Sequence, residues 1–187
     1  VTPGGWDYDY GSFVVSYFGG QGFPTVVMDL KEKTIENTSG ALENVIWNLR
    51  AEYPATCGLK LTTEYDADAK VINASAELTS STGGSYDMGM VLLLNNQIVQ
   101  GGTNEGGRYS HIVRASTGNF FMYSSESLTK VEKDGKMTFS QQIPVGNYKL
   151  SDLSVVAFAL VPDGEGARMD NIVEVKAGES ADYQLND

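Results

Sequence analysis

One histidine, one cysteine and a scatter of carboxylates are the groups in these 187 residues that carry chemistry near neutral pH. His111, within Tyr109-Ser110-His111-Ile112-Val113-Arg114, is the sole side chain whose ordinary pKa suits proton transfer there. A serine beside a histidine in sequence is not a catalytic triad, because a triad is defined in space and a general base needs a positioned partner. His111 therefore reads as a structural or surface residue and a candidate point on a ligand or partner surface. Cys57 stands alone, without a basic neighbour in sequence to lower its pKa, and reads as a small buried apolar residue rather than a nucleophile. These counts argue against Cys/His zinc sites, Cys-x-x-Cys redox chemistry and disulfides within the chain. No catalytic residue, metal ligand or cofactor is expected.

Acidic pairs at Asp66/Asp68 and Asp163/Glu165 lie between strand-like segments, where a pair could meet Ca²⁺. Neither has the regular oxygen spacing of an EF-hand, so both read as solvated turn residues. Trp6-Asp7-Tyr8-Asp9-Tyr10 interleaves aromatics with carboxylates, a composition shared by sugar-binding surfaces and by segments packed on another domain. Trp6, Tyr8 and Tyr10 are thus candidates for a ligand or partner surface. Gly101 to Gly107 lacks the Gly-Lys-Ser/Thr ending of a phosphate loop, carries Glu105, and reads as a flexible loop. The sequons at Asn37 and Asn73 matter only in a eukaryotic secretory pathway. A formal charge of −11 repels phosphate backbones and anionic lipid, so nucleic acid is not an expected partner.

The elements that would position these residues fall into two groups, with a partial α/β segment over 1–56 and a β-sandwich domain over 57–187. In the first, Thr25 to Leu30 reads as a buried strand, Lys31-Glu32-Lys33 as a charged turn, and Thr34 to Glu36 as a short strand. Leu42, Val45, Ile46 and Leu49 recur at helical spacing, with Ser39 as cap and Tyr53 last before Pro54. From Cys57 the period switches to two. Met88 to Leu94 and Val155 to Val161 are apolar on both faces, as central strands covered on each side are. Asp134-Gly135 carries the strongest hairpin chemistry in the chain. The fold class expected is mainly β, an antiparallel β-sandwich preceded by a small α/β segment.

Gly22-Phe23-Pro24-Thr25, then strand, turn, strand and helix, resembles the C-terminal part of a thioredoxin fold, which makes Pro24 a candidate cis-proline. Leu92 to Gln100, a glycine-rich loop and Tyr109 to Ala115 look like the central signature of a larger group. This is the outer-membrane lipoprotein family related to the twenty-eight-kilodalton outer membrane protein of Gram-negative gut and oral anaerobes. Leu153 to Val161 and Asn171 to Val175 are similar to that family's closing strands. Where its pattern has His-Asn-His, this chain has His111 alone, which weakens a metal or catalytic role there.

The resemblance implies a protein of the cell envelope, at the outer membrane or cell surface, held by a lipid anchor upstream of these residues. It implies a thioredoxin-like portion before a sandwich, and no established activity. The leading expectation is a non-enzymatic scaffold or interaction module with an unidentified protein or glycan partner. Homo-oligomerisation that covers the incomplete sheet is a further expectation. One alternative is the C-terminal part of a thioredoxin-like thiol oxidoreductase with its cysteines upstream; another is a glycan-binding module using the aromatic segment. The abrupt start at Val1 reads as a truncated or processed chain.

Overall fold

The computed structural model describes residues 26–34, 38–98, 100–101, 105–117 and 127–184. The first described elements are an antiparallel hairpin of β1 (Val26–Met28) and β2 (Glu32–Thr34), then helix α1 (Ser39–Glu52). This is the strand–turn–strand–helix order expected from the sequence of this segment. The expected turn at Lys31-Glu32-Lys33 is displaced: Glu32 and Lys33 pair within β2, and the turn is Asp29-Leu30. Both turn residues have left-handed backbones, with φ of 52° and 58°, and Lys31 N–H donates to the Met28 carbonyl at 2.9 Å. Two consecutive positive φ angles match the twist of a hairpin. The strain of placing leucine there is offset because Leu30 packs on an apolar sheet face.

Helix α1 ends where Pro54 requires, with Tyr53 as C-cap donating its N–H to the Leu49 carbonyl at 2.7 Å. Its start differs from expectation. Thr38, not Ser39, is the N-cap, without a side-chain cap bond. Of the four apolar positions at helical spacing only Leu49 is fully buried, and Ile46 is exposed.

The sandwich uses β3 (Cys57–Asp66), β4 (Val71–Ser80), β5 (Gly84–Leu94), β6 (Gln97–Ile98), β7 (Arg108–Tyr109), β8 (Ile112–Thr117), β9 (Thr129–Val131), β10 (Lys136–Pro144), β11 (Leu153–Asp163), β12 (Gly166–Lys176) and β13 (Ser180–Gln184). One sheet has the order β10-β4-β3-β13; the other has β12-β11-β5-β8, with β9 on the start of β5. All these pairings are antiparallel. Alternate residues of β3 and β4, such as Leu59, Leu61, Ile72 and Leu78, meet Met90, Leu92, Val155 and Ala157 of the facing sheet. As the apolar runs require, β5 and β11 are central and buried on both faces. Val91, Leu93, Val156, Phe158 and Leu160 form a second apolar cluster on the outer side, with Leu30 packed against it.

The Asp134-Gly135 turn is not a hairpin. β9 pairs with β5 and β10 pairs with β4, so the turn carries the chain from one sheet to the other. Its backbone is anchored sideways, Asp134 N–H donating to the Ser80 carbonyl at 2.8 Å and Ser80 N–H to the Gly135 carbonyl at 3.1 Å. Glycine is needed there: a Cβ on Gly135 would lie 2.8 Å from the Glu132 carbonyl oxygen. Asp-Gly chemistry specifies a tight reversal, and tertiary pairing decides which strands it joins.

Truncating Phe158, 1% exposed at the centre of the outer cluster, removes a large aromatic side chain from a packed face. Phe158→Ala is expected to cost about 3–5 kcal/mol in urea unfolding, with a folded spectrum retained. A loss under about 1 kcal/mol would mean the outer face is loosely covered.

Candidate functional site

His111 sits where the β5–β8 pairing is interrupted before the β6–β7 extension. Asn96 and His111 have left-handed backbones there, with φ of 58° and 59°. Side chains bridge the break: His111 N–H donates to Asn95 Oδ1 at 2.8 Å and Asn96 N–H to Ser110 Oγ at 3.3 Å. These bonds account locally for Asn95-Asn96 opposite Ser110-His111. Nε2 of His111 lies 3.3 Å from Oε2 of Glu174 on β12, a partner 63 residues away. Ser154 Oγ donates to Glu174 Oε1 at 2.5 Å and accepts from Asn95 Nδ2 at 3.0 Å.

Serine, histidine and carboxylate are thus neighbours in the wrong order for nucleophilic catalysis. The carboxylate stands between the other two, so the serine proton is aimed at Glu174 rather than at the imidazole. Ser154 is only 2% exposed, whereas the His111 side chain is 65% exposed. The arrangement ties the turn between β7 and β8 to β11 and β12. It does not assemble a nucleophile. Glu174, Ser154 and Asn95 were invisible to local motifs because strand pairing brings them together.

A deeper polar cluster lies at the junction of α1 and β3. The register between β11 and β12 shifts at Ala159/Leu160, leaving Asp170 as the extra residue between Met169 and Asn171. This bulge turns its carboxylate into the protein. Asp170 accepts from Thr56 N–H at 2.8 Å, Cys57 N–H at 3.0 Å, Thr56 Oγ1 at 3.1 Å and Arg168 Nη1 at 3.3 Å. Asn171 Nδ2 donates to the Cys57 carbonyl at 2.7 Å, and the buried Tyr86 hydroxyl shares bonds with Thr56 Oγ1 and Ser80 Oγ. Cys57 is buried, as its lone occurrence suggested. Burial, together with the nearby Asp170, pushes its thiol far above the ordinary cysteine range. A basic neighbour does exist in space, Arg168, but its effect is the smaller one. That thiol is not poised as a nucleophile.

Around this cluster α1 and β12 enclose a cleft of about 450 Å³, lined among others by Asp29, Ile46, Trp47, Arg50, Tyr53 and Ile172. Ile46, Trp47 and Ile172 are 47%, 58% and 48% exposed. These are three of the six large apolar residues exposed among those described. Arg50 lies 5.4 Å from the Trp47 ring centroid, and burial raises the pKa of Asp29. The wall behind is held by cations on Tyr53, with Lys31 at 4.8 Å and Arg168 at 5.4 Å from its ring. Lys31 also pairs with Asp163 at 2.5 Å. A wider polar hollow of about 620 Å³ lies on the outer face of the four-stranded sheet, edged by Thr62, Glu64, Asn73, Ser75, Ser140 and Gln142.

The other sequence candidates fall as follows. Asp66 is a turn residue, its Oδ1 accepting from Asp68 N–H and Ala69 N–H. Asp163 is ion-paired with Lys31 rather than open to a cation. Among the described residues no group of three or more His, Cys, Asp or Glu is placed to hold a metal ion. Asn73 lies within β4, bonded to Gln142 at 2.9 Å. Trp6, Tyr8, Tyr10, Pro24 and Asn37 lie outside the described residues, as do three positions of the Gly101–Gly107 loop. A polar Asp170-Asn171 pair inside a strand otherwise rich in apolar residues was the available signal for the buried cluster.

Removing the carboxylate should show what this cluster does. Asp170→Ala orphans the Thr56 and Cys57 backbone donors and removes the carboxylate beside Arg168, and about 3 kcal/mol or more of stability is expected to be lost in urea unfolding. In the native protein Cys57 should stay unreactive toward a thiol reagent at pH 8 and react once unfolded. Fast native reaction would contradict the burial described here.

No protein-family model matches the sequence, and no curated protein matches it. Solved structures that share its fold include the following two. HBP35 of Porphyromonas gingivalis superposes with a TM-score of 0.67 at 20% identity, over 88% of this chain and 55% of that one. Protein AGR_C_4864 from Agrobacterium tumefaciens superposes with a TM-score of 0.57 at 11% identity, over 94% and 73%. The chain therefore spans about half the length of HBP35. Both likenesses are of fold, and they agree with a mainly β, antiparallel architecture preceded by a small α/β segment.

Proposed function

We propose that the chain is a non-enzymatic interaction module of a Gram-negative cell envelope, and that it takes a protein partner in the cleft between α1 and β12. The observation that carries this reading is the gathering of Ile46, Trp47 and Ile172, exposed, around one concave site. Large exposed apolar side chains in a cleft are the usual anchors of protein recognition. The occupant is a protein segment presenting a large apolar side chain to Ile46, Trp47 and Ile172. By contrast, the groups able to do chemistry are committed to internal bonds: Cys57, Asp170 and Ser154 are all buried. The envelope assignment is supported by the motif resemblance and by the fold neighbour from a Gram-negative oral anaerobe. The finer kinship, to the lipoprotein family named above, rests on those motifs.

The order β1, β2, α1 favours a second reading, in which the chain is the C-terminal part of a thiol oxidoreductase whose cysteines lie upstream. Intact mass and insulin reduction, measured on the protein from its native cells, separate the two readings.

The partner site is tested by placing a photo-crosslinking residue at position 47 in cells. An adduct to one envelope protein is expected, lost with Ile172→Asp. The purified partner should then bind Trp47→Ala about tenfold or more weaker than the unaltered chain. Unchanged affinity, or adducts indifferent to Ile172→Asp, would sink the cleft as the site.

A further inference from the structure

The four outer strands of the sandwich are not equally protected against pairing with another chain. β12 carries the bulge at Asp170, and two of its N–H groups are already taken, Met169 N–H by the Asp29 carbonyl at 2.9 Å and Ile172 N–H by Asn171 Oδ1 at 2.8 Å. β8 and β13 each have a register shift against their neighbours. Such breaks keep an edge from serving as a template. β10 has none: it runs in register with β4 for nine residues, from Lys136 opposite Thr79 to Pro144 opposite Val71. Among the described residues nothing pairs with its other side. Its inward residues Met137, Phe139 and Gln141 are only half-buried, so the core is incomplete along this edge.

We infer that β10 is a self-association edge, on which a second copy of this chain pairs antiparallel about a two-fold axis at Ser140 to give one continuous eight-stranded sheet. The strand is complementary to itself in that register. Met137 meets Ile143 and Phe139 meets Gln141 on the inner face, while Thr138 meets Gln142 and Ser140 meets its own copy on the outer face. Lys136, the one charge in the strand, falls opposite Pro144. In a chain of formal charge −11, the uncharged run from Met137 to Pro144 lets two copies approach along this strand without opposing like charges. The register uses all nine residues and leaves its proline at the end, where a missing donor matters least. This inference is independent of the cleft between α1 and β12.

Sedimentation equilibrium of the 187-residue protein is expected to show a monomer–dimer equilibrium. Ser140→Lys sets two ammonium groups face to face and should weaken the dimer about tenfold or more, whereas Ser140→Ala should leave it intact. Ser140→Cys should form a disulfide to its own copy under mild oxidation, because the Cα atoms of directly opposed residues lie about 4.5–5.5 Å apart, within the span a disulfide bridges. Glu43→Cys, exposed on α1, should not. A protein monomeric up to about 0.5 mM would overturn the proposal. So would a dimer indifferent to Ser140→Lys and left unlinked by Ser140→Cys.

Discussion

An ionised carboxylate taken out of water is destabilising by several kcal/mol unless hydrogen bonds replace its hydration. Asp170 meets that condition with two backbone N–H groups, a hydroxyl and a guanidinium, all within 3.3 Å. The donors come from Thr56 and Cys57, the residues through which the chain passes from the helical segment into β3, and from β12 itself. Register, bulge and junction are therefore one constraint. The bulge exists to aim the carboxylate, and the carboxylate holds the first sandwich strand against the edge of the opposite sheet. Tyr53, Lys31, Arg168 and Asp163 then extend the same contact to the β1–β2 turn.

That constraint explains why the residues that invite a catalytic reading are spent on architecture. A buried cysteine whose thiol is pushed up, a serine whose proton is committed to a glutamate, and an imidazole bonded to that glutamate from outside each have a defined structural duty. The chemistry that remains outward is of another kind: apolar surface beside an arginine in one cleft, and amide and hydroxyl groups across the outer four-stranded face. Those are the surfaces on which the proposed partner recognition rests.

Much of the sandwich was legible from periodicity because burial acts on each strand separately. The two-faced apolar runs at Met88–Leu94 and Val155–Val161 could only be central strands, and the alternation from Cys57 marked the start of β3. Tyr53 before Pro54 marked the helix end for an equally local reason. What local reasoning missed depends on pairing across the chain. Asp134-Gly135 announces a reversal without saying which sheet follows it. Ile46 fits an apolar helix face, yet the helix meets β12 across a cleft rather than flush. Glu174 could not be connected to His111, because nothing near either residue records the pairing that makes them neighbours.

The clasp of Asn95, Asn96, Ser110 and His111 closes the base of the β6–β7 extension from the side of the sandwich. Ile98 and Arg108 are exposed, and the bonds that fix the base are all on the near side of them. Lengthening a surface loop whose ends are already held together adds only a slowly growing entropy. The far end of the β6–β7 extension is therefore the natural place to graft foreign sequence. An epitope or a reporter domain inserted there would be displayed on a short stalk, leaving both sheets and the α1–β12 cleft undisturbed.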